Sequence, residues 1–333
     1  MTGEARPVTG PGRAERAGRA ARARPPGLPA PDRCLVMGIV NVTPDSFSDG
    51  GKWLDPAAAV AHGLRLAAEG ADIVDVGGES TRPGAQRVDE AEELRRIGPV
   101  ISGLAAAGAA VSVDTMRAGV AEVALGAGAR MVNDVSGGLA DPRLPRLAGE
   151  AGVPYVVTHW RGYGRDMQDR AVYDDVVREV SAELRRQVDA VIAAGVDASA
   201  VIVDPGIGFA KLHGHNWALL TSLGEIARLG GDRPFPVLVG ASRKSFLGSL
   251  LRGADGEPRP PAERDGATVA VSALAAAAGA WCVRVHAVAA NADAVRVAAR
   301  WAAVSGRAAP AGAAGPANGG GAADPARAAG TAS

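Results

Sequence analysis

The stretch that decides the fold is residues 34–78, CLVMGIVNVTPDSFSDGGKWLDPAAAVAHGLRLAAEGADIVDVGG. It begins with the β-rich run CLVMGIVNV, passes through a polar segment into the Ala- and Leu-rich stretch DPAAAVAHGLRLAAEG, and returns to a second β-rich run, ADIVDVGG. Short apolar runs rich in Val and Ile predict buried strands, and the longer stretch between them predicts a helix. The stretch is therefore predicted to form one β-α-β unit whose two strands lie parallel.

The same alternation continues along the chain. Six further β-rich runs follow, separated by helical stretches: AVSVDT (110–115), RMVNDV (130–135), PYVVTH (154–159), AVIVDPG (200–206), PVLVGAS (236–242) and WCVRVH (281–286). Eight such units in about 270 residues match a closed α/β barrel, the (β/α)8 or TIM barrel. An open, doubly wound sheet is the alternative. It usually carries a Gly-rich nucleotide turn after its first strand, where this chain has NVTPDSFSDGG.

Composition narrows the class of protein. The chain has 333 residues, a net charge of +0 and 47% hydrophobic residues, which argues against a general binder of nucleic acid or membrane surfaces. Its two cysteines, Cys34 and Cys282, form no disulfide framework, and we expect buried reduced thiols in a cytoplasmic protein. Residues 1–31 and 306–333 consist mainly of Ala, Gly, Arg and Pro. We expect disordered tails there, around one barrel domain at 32–305.

Nearly every predicted strand ends on a polar or ionisable side chain. These residues are Asn41, Asp75 with Glu79, Asp114, Asn133, His159, Asp204, Lys244, and Arg284 with His286. Helix capping would explain one or two of them, but not the whole set. Because the active site of such a barrel lies at the carboxyl ends of its strands, the set predicts a catalytic or binding site at that mouth.

The strand-end residues fall into two chemical groups. Asp114, Asn133, Asp204 and Lys244 offer the acceptors and donors that suit a flat, nitrogen-rich ring such as a pterin or purine. Asn41, Arg82, Arg284 and His286 suit an anionic group together with a magnesium ion. Closure of the barrel makes the first and eighth strands neighbours. GASRKS and GIGFAK (residues 240–245 and 206–211) only partly match the nucleotide-binding glycine motifs.

Seven motifs, in order, carry a resemblance to a known family: MGIVNVTPDSFSDGG, DIVDVGGESTRPGA, VSVDT, VNDVSGG, DPGIGFAK, GASRKSFLG and RVH. Over roughly residues 34–303, the chain resembles dihydropteroate synthases. The resemblance implies a (β/α)8 barrel, a homodimer and use of Mg²⁺. It also implies a transferase that joins 6-hydroxymethyl-7,8-dihydropterin pyrophosphate to p-aminobenzoate, giving 7,8-dihydropteroate and pyrophosphate for folate biosynthesis.

The resemblance also implies roles for individual residues. The pterin would contact Asp114, Asn133, Asp204, Lys244, Phe209 and Gly240. Pyrophosphate would contact Asn41, Thr81, Arg82, Arg284 and His286, and Asn41 would also touch the magnesium ion. The p-aminobenzoate would lie near Thr81, Pro83, Lys244 and Ser245. Two residues depart from the usual pattern: Ala287 replaces an Asp after RVH, and Thr158 replaces a Met before His159.

The first loop raises a further hypothesis. Loss of pyrophosphate would leave positive charge on the pterin methylene, which needs negative charge nearby and exclusion of water. The loop after the first strand carries Asp45, Phe47 and Asp49, and we expect it to close as a catalytic lid, with Lys244 completing the catalytic set. Asp75 and His159 remain open to structural roles, and we expect Lys211 and His62 to be solvated.

Two rival functions fit part of this pattern. One is another pterin-dependent enzyme on the same barrel, such as a methyltetrahydrofolate methyltransferase. That enzyme would bind the pterin alike, but it would have no use for the RVH group or for the first loop. The other is a pterin-binding paralogue without catalytic activity.

Overall fold

A computed structural model describes residues 24–43, 55–80, 87–162 and 165–305 of the chain. Its strands are β1 (Leu35–Asn41), β2 (Ile73–Gly77), β3 (Val111–Asp114), β4 (Met131–Asp134), β5 (Tyr155–Thr158), β6 (Val201–Asp204), β7 (Leu238–Val239) and β8 (Cys282–Val285). Its helices are α1 (Pro56–Ala68), α2 (Glu90–Ala106), α3 (Ala118–Gly126), α4 (Arg143–Ala151), α5 (Val176–Ala193), α6 (His213–Thr221), α7 (Leu223–Ala227), α8 (Ser245–Leu250), α9 (Asp265–Ala277) and α10 (Val288–Val304). Short 3-10 helices lie at Arg165–Arg170, Ala198–Ala200, Arg228–Gly230 and Pro261–Glu263.

The eight strands form one parallel sheet in the order β6-β5-β4-β3-β2-β1-β8-β7. A bridge between Val203 and Val237, with the backbone N–H of Val203 donating to Pro236 at 2.9 Å, joins the two ends of the sheet. The predicted barrel is thus confirmed, and the open-sheet alternative is wrong. The first and eighth strands are neighbours, as expected, with Met37 paired to Arg284.

Side-chain alternation along the strands separates an apolar layer inside the barrel from the polar residues at its mouth. Along β1, Leu35 and Met37 belong to a buried interior cluster with Ile73, Met131, Val156, Ile202, Leu238 and Cys282. The intervening residues pack outward in a larger cluster between strands and helices. Because side chains alternate along a strand, the residues two and four positions beyond the interior apolar layer point to the carboxyl-end mouth. The apolar layer therefore forms a floor beneath a polar mouth.

Aspartate side chains fix where several helices begin. Asp55, Asp89 and Asp175 precede α1, α2 and α5, and each accepts a hydrogen bond from a backbone N–H in the first turn, at 3.0, 2.7 and 3.1 Å. Such caps satisfy otherwise unpaired donors and each contribute about 1 kcal/mol. Each cap therefore fixes the point at which a loop from the mouth ends and its helix begins.

Residues 24–31, assigned above to the amino-terminal tail, pack against the barrel. Pro25 is buried, and Leu28 packs against the interior apolar cluster. The rest of the predicted tails, residues 1–23 and 306–333, lies outside the described residues. No helix among those described is long and apolar enough to cross a lipid bilayer.

Candidate active site

One large pocket opens at the carboxyl-end mouth of the barrel. Its volume is about 500 Å³, within the size range of small-molecule sites. Its lining includes Asn41, Asp114, Asn133, Thr158, Asp204, Phe209, Gly240, Lys244, Ser245, Arg284 and His286. Seven different strands or the loops that follow them supply these residues, as expected for a barrel active site.

A charged cluster forms one wall. Arg284 Nε donates to Asp75 Oδ2 at 2.6 Å, and Arg284 Nη2 donates to Asp114 Oδ2 at 2.6 Å. Asn133 Nδ2 donates to the same Asp75 oxygen at 3.0 Å. Asp75 is fully buried, so it positions Arg284 and Asn133 from behind. Although burial opposes its charge, Asp75 and Asp114 raise the pKa of Arg284, and the guanidinium stays protonated.

Two carboxylates face the pocket in enclosed surroundings. Burial raises the pKa of Asp114 to about 7, with Arg284 opposing the shift and Asp75 adding to it. Burial also raises the pKa of Asp204, and the nearby Lys244 opposes this. Asp204 Oδ1 accepts from the backbone N–H of Gly206 at 2.7 Å. A second acceptor oxygen on each carboxylate remains to receive an N–H group from a ligand.

Lys244 lies above the Phe209 ring, with Nζ 4.5 Å from the ring centroid. The same ammonium group donates to the Ile207 carbonyl. Burial lowers the pKa of Lys244 to about 8, while Asp204 opposes the shift. The lysine therefore supplies a donor, and Phe209 a flat apolar face, to the pocket.

His286 and Asn41 line the pocket near the ends of β8 and β1. Ser242 Oγ lies 2.9 Å from His286 Nδ1 and accepts from its backbone N–H at 3.2 Å. Arg243 follows Ser242 with φ +58°, a conformation that costs about 1–2 kcal/mol outside glycine. Its guanidinium donates to both oxygens of Asp265, at 2.7 and 2.8 Å. This fork holds the strained turn that presents Lys244 and Ser245.

The loop after β2 is anchored at both of its described ends. Glu79 Oε1 accepts from Arg87 Nε at 2.8 Å, and Glu79 Oε2 lies 2.7 Å from Arg117 Nη1. Arg117 also contacts Glu93 of α2 and donates to the Val88 carbonyl at 2.7 Å. These contacts fix where the chain enters and leaves the loop that holds three of the predicted site residues.

The structure brings ten predicted site residues to this pocket: Asn41, Asp114, Asn133, Asp204, Phe209, Gly240, Lys244, Ser245, Arg284 and His286. Six others, Asp45, Phe47, Asp49, Thr81, Arg82 and Pro83, lie outside the described residues and stay predictions. Arg284, assigned to pyrophosphate from the resemblance, contacts the two carboxylates on the ring-binding side.

Four residues have surroundings that correct or refine the sequence-based expectations. Thr158 points into the pocket, whereas His159, one position later, turns outward and contacts Glu183 of α5. The expectation that Lys211 is solvated is wrong, because its side chain is 3% exposed. Ala287 stands at the N-cap of α10 without a side-chain cap bond, so the family's usual Asp would be a helix cap there.

Several pocket residues were missed from the sequence. Ser242 and Arg243 lie inside the GASRKS motif, which was a usable signal. Gln168 donates to the Gly208 carbonyl at 3.4 Å, and Arg264 donates to the Arg243 carbonyl at 2.8 Å. Gln168 lies in the 3-10 helix Arg165–Arg170, and Arg264 follows the 3-10 helix Pro261–Glu263; both helices are too short for a periodic pattern to mark them.

Comparison with known proteins supports the interpretation of this pocket. The sequence model of the family described as "Pterin binding enzyme" matches residues 37–286. The chain belongs to the pterin-binding enzymes. Within them it belongs to the dihydropteroate synthases: it is 57% identical over 267 residues to the dihydropteroate synthase of Mycobacterium leprae (strain TN), covering 80% of this chain and 93% of that protein.

Solved dihydropteroate synthases share the same barrel. The Xanthomonas albilineans enzyme with 4-aminobenzoic acid is 47% identical, with a TM-score of 0.72 over 82% of this chain and 94% of that one. The X. albilineans enzyme in complex with 7,8-dihydropteroate superimposes with a TM-score of 0.70 at 44% identity, over the same shares of the two chains. This dihydropteroate synthase family member therefore presents a pterin-type pocket at the mouth of its barrel.

Proposed function

We propose that the chain catalyses the dihydropteroate synthase reaction, joining 6-hydroxymethyl-7,8-dihydropterin pyrophosphate to p-aminobenzoate. The carrying observation is that Asp114, Asn133 and Asp204 converge, half-buried or buried, on one cavity beside Lys244. A pterin edge alternates N–H donors with ring acceptors, and these side chains offer the complementary set. The resulting enzyme is a transferase of folate biosynthesis.

The bound ring is held by groups with fixed roles. The carboxylates of Asp114 and Asp204 accept N–H groups, Asn133 offers a donor and an acceptor, and Lys244 donates to a ring acceptor. Arg284 and Asn133 are already oriented by Asp75 at 2.6 and 3.0 Å. Because these side chains are placed before the ring arrives, little ordering entropy is lost on binding.

The chemical step exchanges one bond for another. The C–O bond between the pterin methylene and pyrophosphate breaks, and its electron pair leaves with pyrophosphate. The p-aminobenzoate nitrogen then forms a bond to the methylene carbon and loses a proton. Positive charge on the pterin methylene is greatest between these events, and the carboxylates of Asp114 and Asp204 lie on the ring side to stabilise it.

The departing pyrophosphate requires positive charge nearby and an oxygen atom that can coordinate a metal ion. His286, held by Ser242 at 2.9 Å, and the Asn41 amide line the same pocket. Magnesium usually takes few protein ligands together with substrate phosphates, so one amide oxygen at the mouth fits that ion. Asn41 would hold Mg²⁺, which would neutralise charge on the leaving pyrophosphate.

A coupled assay tests the proposed reaction. Pyrophosphate release from the pterin substrate should depend on p-aminobenzoate and should match formation of 7,8-dihydropteroate. A methyltransferase or a catalytically inactive paralogue would bind the pterin without releasing pyrophosphate. Binding without p-aminobenzoate-dependent release would therefore overturn the proposal.

The first loop supplies a second test. If Asp49 stabilises the methylene cation, Asp49→Ala should lower kcat by about 10²-fold or more while the pterin substrate affinity changes little, because the charge develops only during reaction. Single-turnover kinetics and calorimetry measure the two quantities. Phe47→Ala should behave alike, and Asp45→Ala tests whether Asp45 belongs to the catalytic lid or, because it follows Pro44, only caps the turn. A kcat within about twofold of the parent for both Asp49→Ala and Phe47→Ala contradicts the lid hypothesis.

We further propose that the chain forms a homodimer through α10. Val297, Trp301 and Val304 are 64%, 71% and 70% exposed, and their spacing of four and three residues puts them on one helix face. Leu274 of α9 is 69% exposed, and α9 packs on α10. Exposed apolar stripes of this kind mark association surfaces, and a twofold pairing would cover both copies.

Trp301→Asp should convert the dimer to a monomer, because a carboxylate would be buried without a partner in the interface. Sedimentation velocity of the full chain measures the change. Val123→Asp, which alters an exposed apolar residue on α3 (49% exposed), is the matched control. A monomeric parent, or a dimer unaffected by Trp301→Asp, contradicts this interface.

The cytoplasm is the proposed site of action. Cys34 and Cys282 are both buried free thiols, which suits a reducing compartment.

A further inference from the structure

A lysine lies behind the wall of the pocket rather than in it. Lys211 is 3% exposed and donates to His159 Nδ1 at 2.9 Å and to the Phe209 carbonyl at 3.0 Å. A buried ammonium group is costly unless its donors are paired. Lys211 is absent from the pocket lining, and the reaction described above does not use it.

The hydrogen bonds of Lys211 fix the state of His159. While Lys211 is protonated, its ammonium group has donors and no acceptor, so His159 Nδ1 must accept and its proton must reside on Nε2. Nε2 lies 2.9 Å from Glu183 Oε2, which accepts this proton. Burial and the neighbouring Lys211 lower the pKa of His159 to about 4, so the imidazole is neutral near pH 7. The donation therefore runs in one direction, from Lys211 through His159 to Glu183.

The outer end of this chain is fixed to α5. Arg161 Nη2 donates to Glu183 Oε1 at 2.6 Å and to Glu179 Oε2 at 3.1 Å. Arg161 also stacks over the Tyr173 ring at 3.8 Å. Lys211 is thereby tied to a rigid helix and not to another loop.

The inner end holds residues 205–211, the loop that follows Asp204. Lys211 binds the Phe209 carbonyl from behind, while Lys244 contacts the Ile207 carbonyl and the Phe209 ring from the pocket side. The loop passes close over His159 because Gly206 adopts φ +69°. A Cβ there would lie 2.2 Å from the His159 carbonyl oxygen and 3.2 Å from Lys211 Nζ. The close approach requires glycine.

We propose that Lys211, tied through His159 to Glu183, is a positioning residue for pterin binding that fixes the Phe209 loop beneath Lys244 and adds a buried positive charge behind Asp204 and Lys244. The proposal rests on the proposed function of this pocket. It assigns a role to a buried lysine that touches neither substrate.

The charges around Lys211 determine how it affects the pocket. Burial lowers the pKa of Lys211 to about 7. Lys244 and Arg161 add to this shift, whereas Asp204 and Glu183 oppose it. His159 from β5 and His215 from α6 complete the titratable groups whose charges interact with Lys211. Because the pKa of Lys211, about 7, lies below that of Lys244, about 8, Lys211 loses its proton first, and its charge acts on the pocket mainly below about pH 7.

Lys211→Met keeps the length of the stem and removes both the donor and the charge. We expect the affinity for 6-hydroxymethyl-7,8-dihydropterin pyrophosphate to fall about 10- to 100-fold, the loss expected for a hydrogen bond from a charged group. Calorimetry across pH should also show the affinity of the parent falling as pH rises through about 7, where Lys211 loses its proton, and Lys211→Met should lack this change. Thermal stability should change little, because removal of a buried charge offsets the loss of its hydrogen bonds to His159 Nδ1 and the Phe209 carbonyl.

Two further variants make the result decisive. Lys211→Arg, which keeps a charged donor, should recover part of the affinity, and Arg146→Met, an exposed residue of α4, should bind like the parent. If Lys211→Met does not fold, Glu183→Gln tests the same chain from its outer end and should weaken binding in the same direction. A Lys211→Met variant with parental affinity, and with the same loss of affinity as pH rises through about 7, overturns the proposal.

The outcomes separate this inference from the proposed function. If the parent binds the pterin substrate but never forms 7,8-dihydropteroate, the proposed reaction fails while the affinity comparison still stands. If the parent forms 7,8-dihydropteroate and Lys211→Met matches it in affinity and in pH profile, only the positioning role fails.

Discussion

Replacing Asp204 with Asn is expected to lower the affinity for the pterin substrate by about 30- to 1000-fold while the barrel stays folded. Asp204 is 8% exposed, and its Oδ1 already accepts from the Gly206 N–H at 2.7 Å. An amide in this place would present a donor either to that N–H or to the ligand. Buried groups left unpaired in this way cost about 1–3 kcal/mol each. Titration calorimetry with the pterin pyrophosphate measures the loss.

Stability distinguishes a lost ligand contact from a damaged fold. Burial raises the pKa of Asp204, so the folded state holds its proton more tightly than the unfolded chain does. Such a group favours folding at low pH and loses that contribution as pH rises through its folded pKa. Asp204→Asn should therefore keep or raise Tm at pH 8. Asp189→Asn on the exposed face of α5 is the control, and an Asp204→Asn affinity within about threefold of the parent removes Asp204 from the site.

The sequence predicts most of this fold because the barrel repeats a single signal. Each β-rich run is short and is followed by a polar residue, so the strands and the edge at which their carboxyl ends meet can be located without coordinates. Strand alternation then determines which strand-end residue faces inward. On β5 the sequence analysis placed His159 among the residues of the mouth, but alternation from the interior Val156 selects Thr158, and in the structure Thr158 lines the pocket while His159 contacts Glu183.

What the sequence could not show are contacts that depend on distant segments. The burial of Lys211 depends on His159, 52 positions away, and the role of Arg284 depends on Asp75, 209 positions away. Charge alone made Lys211 a surface residue and Arg284 a phosphate ligand. Long-range pairing in three dimensions reversed the first prediction and gave Arg284 two carboxylate partners.

Removing Arg284 should produce the largest loss of stability among the pocket variants. Its guanidinium bridges Asp75 and Asp114 at 2.6 Å to each. In Arg284→Ala both carboxylates would stay enclosed without a counter-charge, and breaking a buried ion pair from one side costs about 3–5 kcal/mol. Urea denaturation monitored by tryptophan fluorescence measures the free energy of unfolding. Arg185→Ala, which removes an exposed pair with Asp189, should cost no more than about 1 kcal/mol.

The loss caused by Arg284→Ala should depend on pH in a defined direction. In the parent, burial raises the pKa of Asp114 from 3.8 to about 7, although Arg284 opposes the shift. Without Arg284 the folded-state pKa of Asp114 rises further, so the variant takes up a proton on folding over a wider range of pH. Protonation removes the unpaired charge, so the difference in unfolding free energy from the parent should be small near pH 5 and should grow as pH rises through about 7 and beyond.

A second substitution tests whether charge is the cause. Adding Asp75→Asn to Arg284→Ala leaves one buried carboxylate instead of two, and Asn133, which donates to Asp75 at 3.0 Å, keeps an acceptor there. We expect the double variant to recover part of the lost stability, even though it lacks one more native charge, and to vary less with pH than Arg284→Ala, because Asp75 no longer raises the pKa of Asp114. A double variant less stable than Arg284→Ala, or a loss in Arg284→Ala that is the same at every pH, would show that Arg284 acts by packing and not by balancing the charges of Asp75 and Asp114.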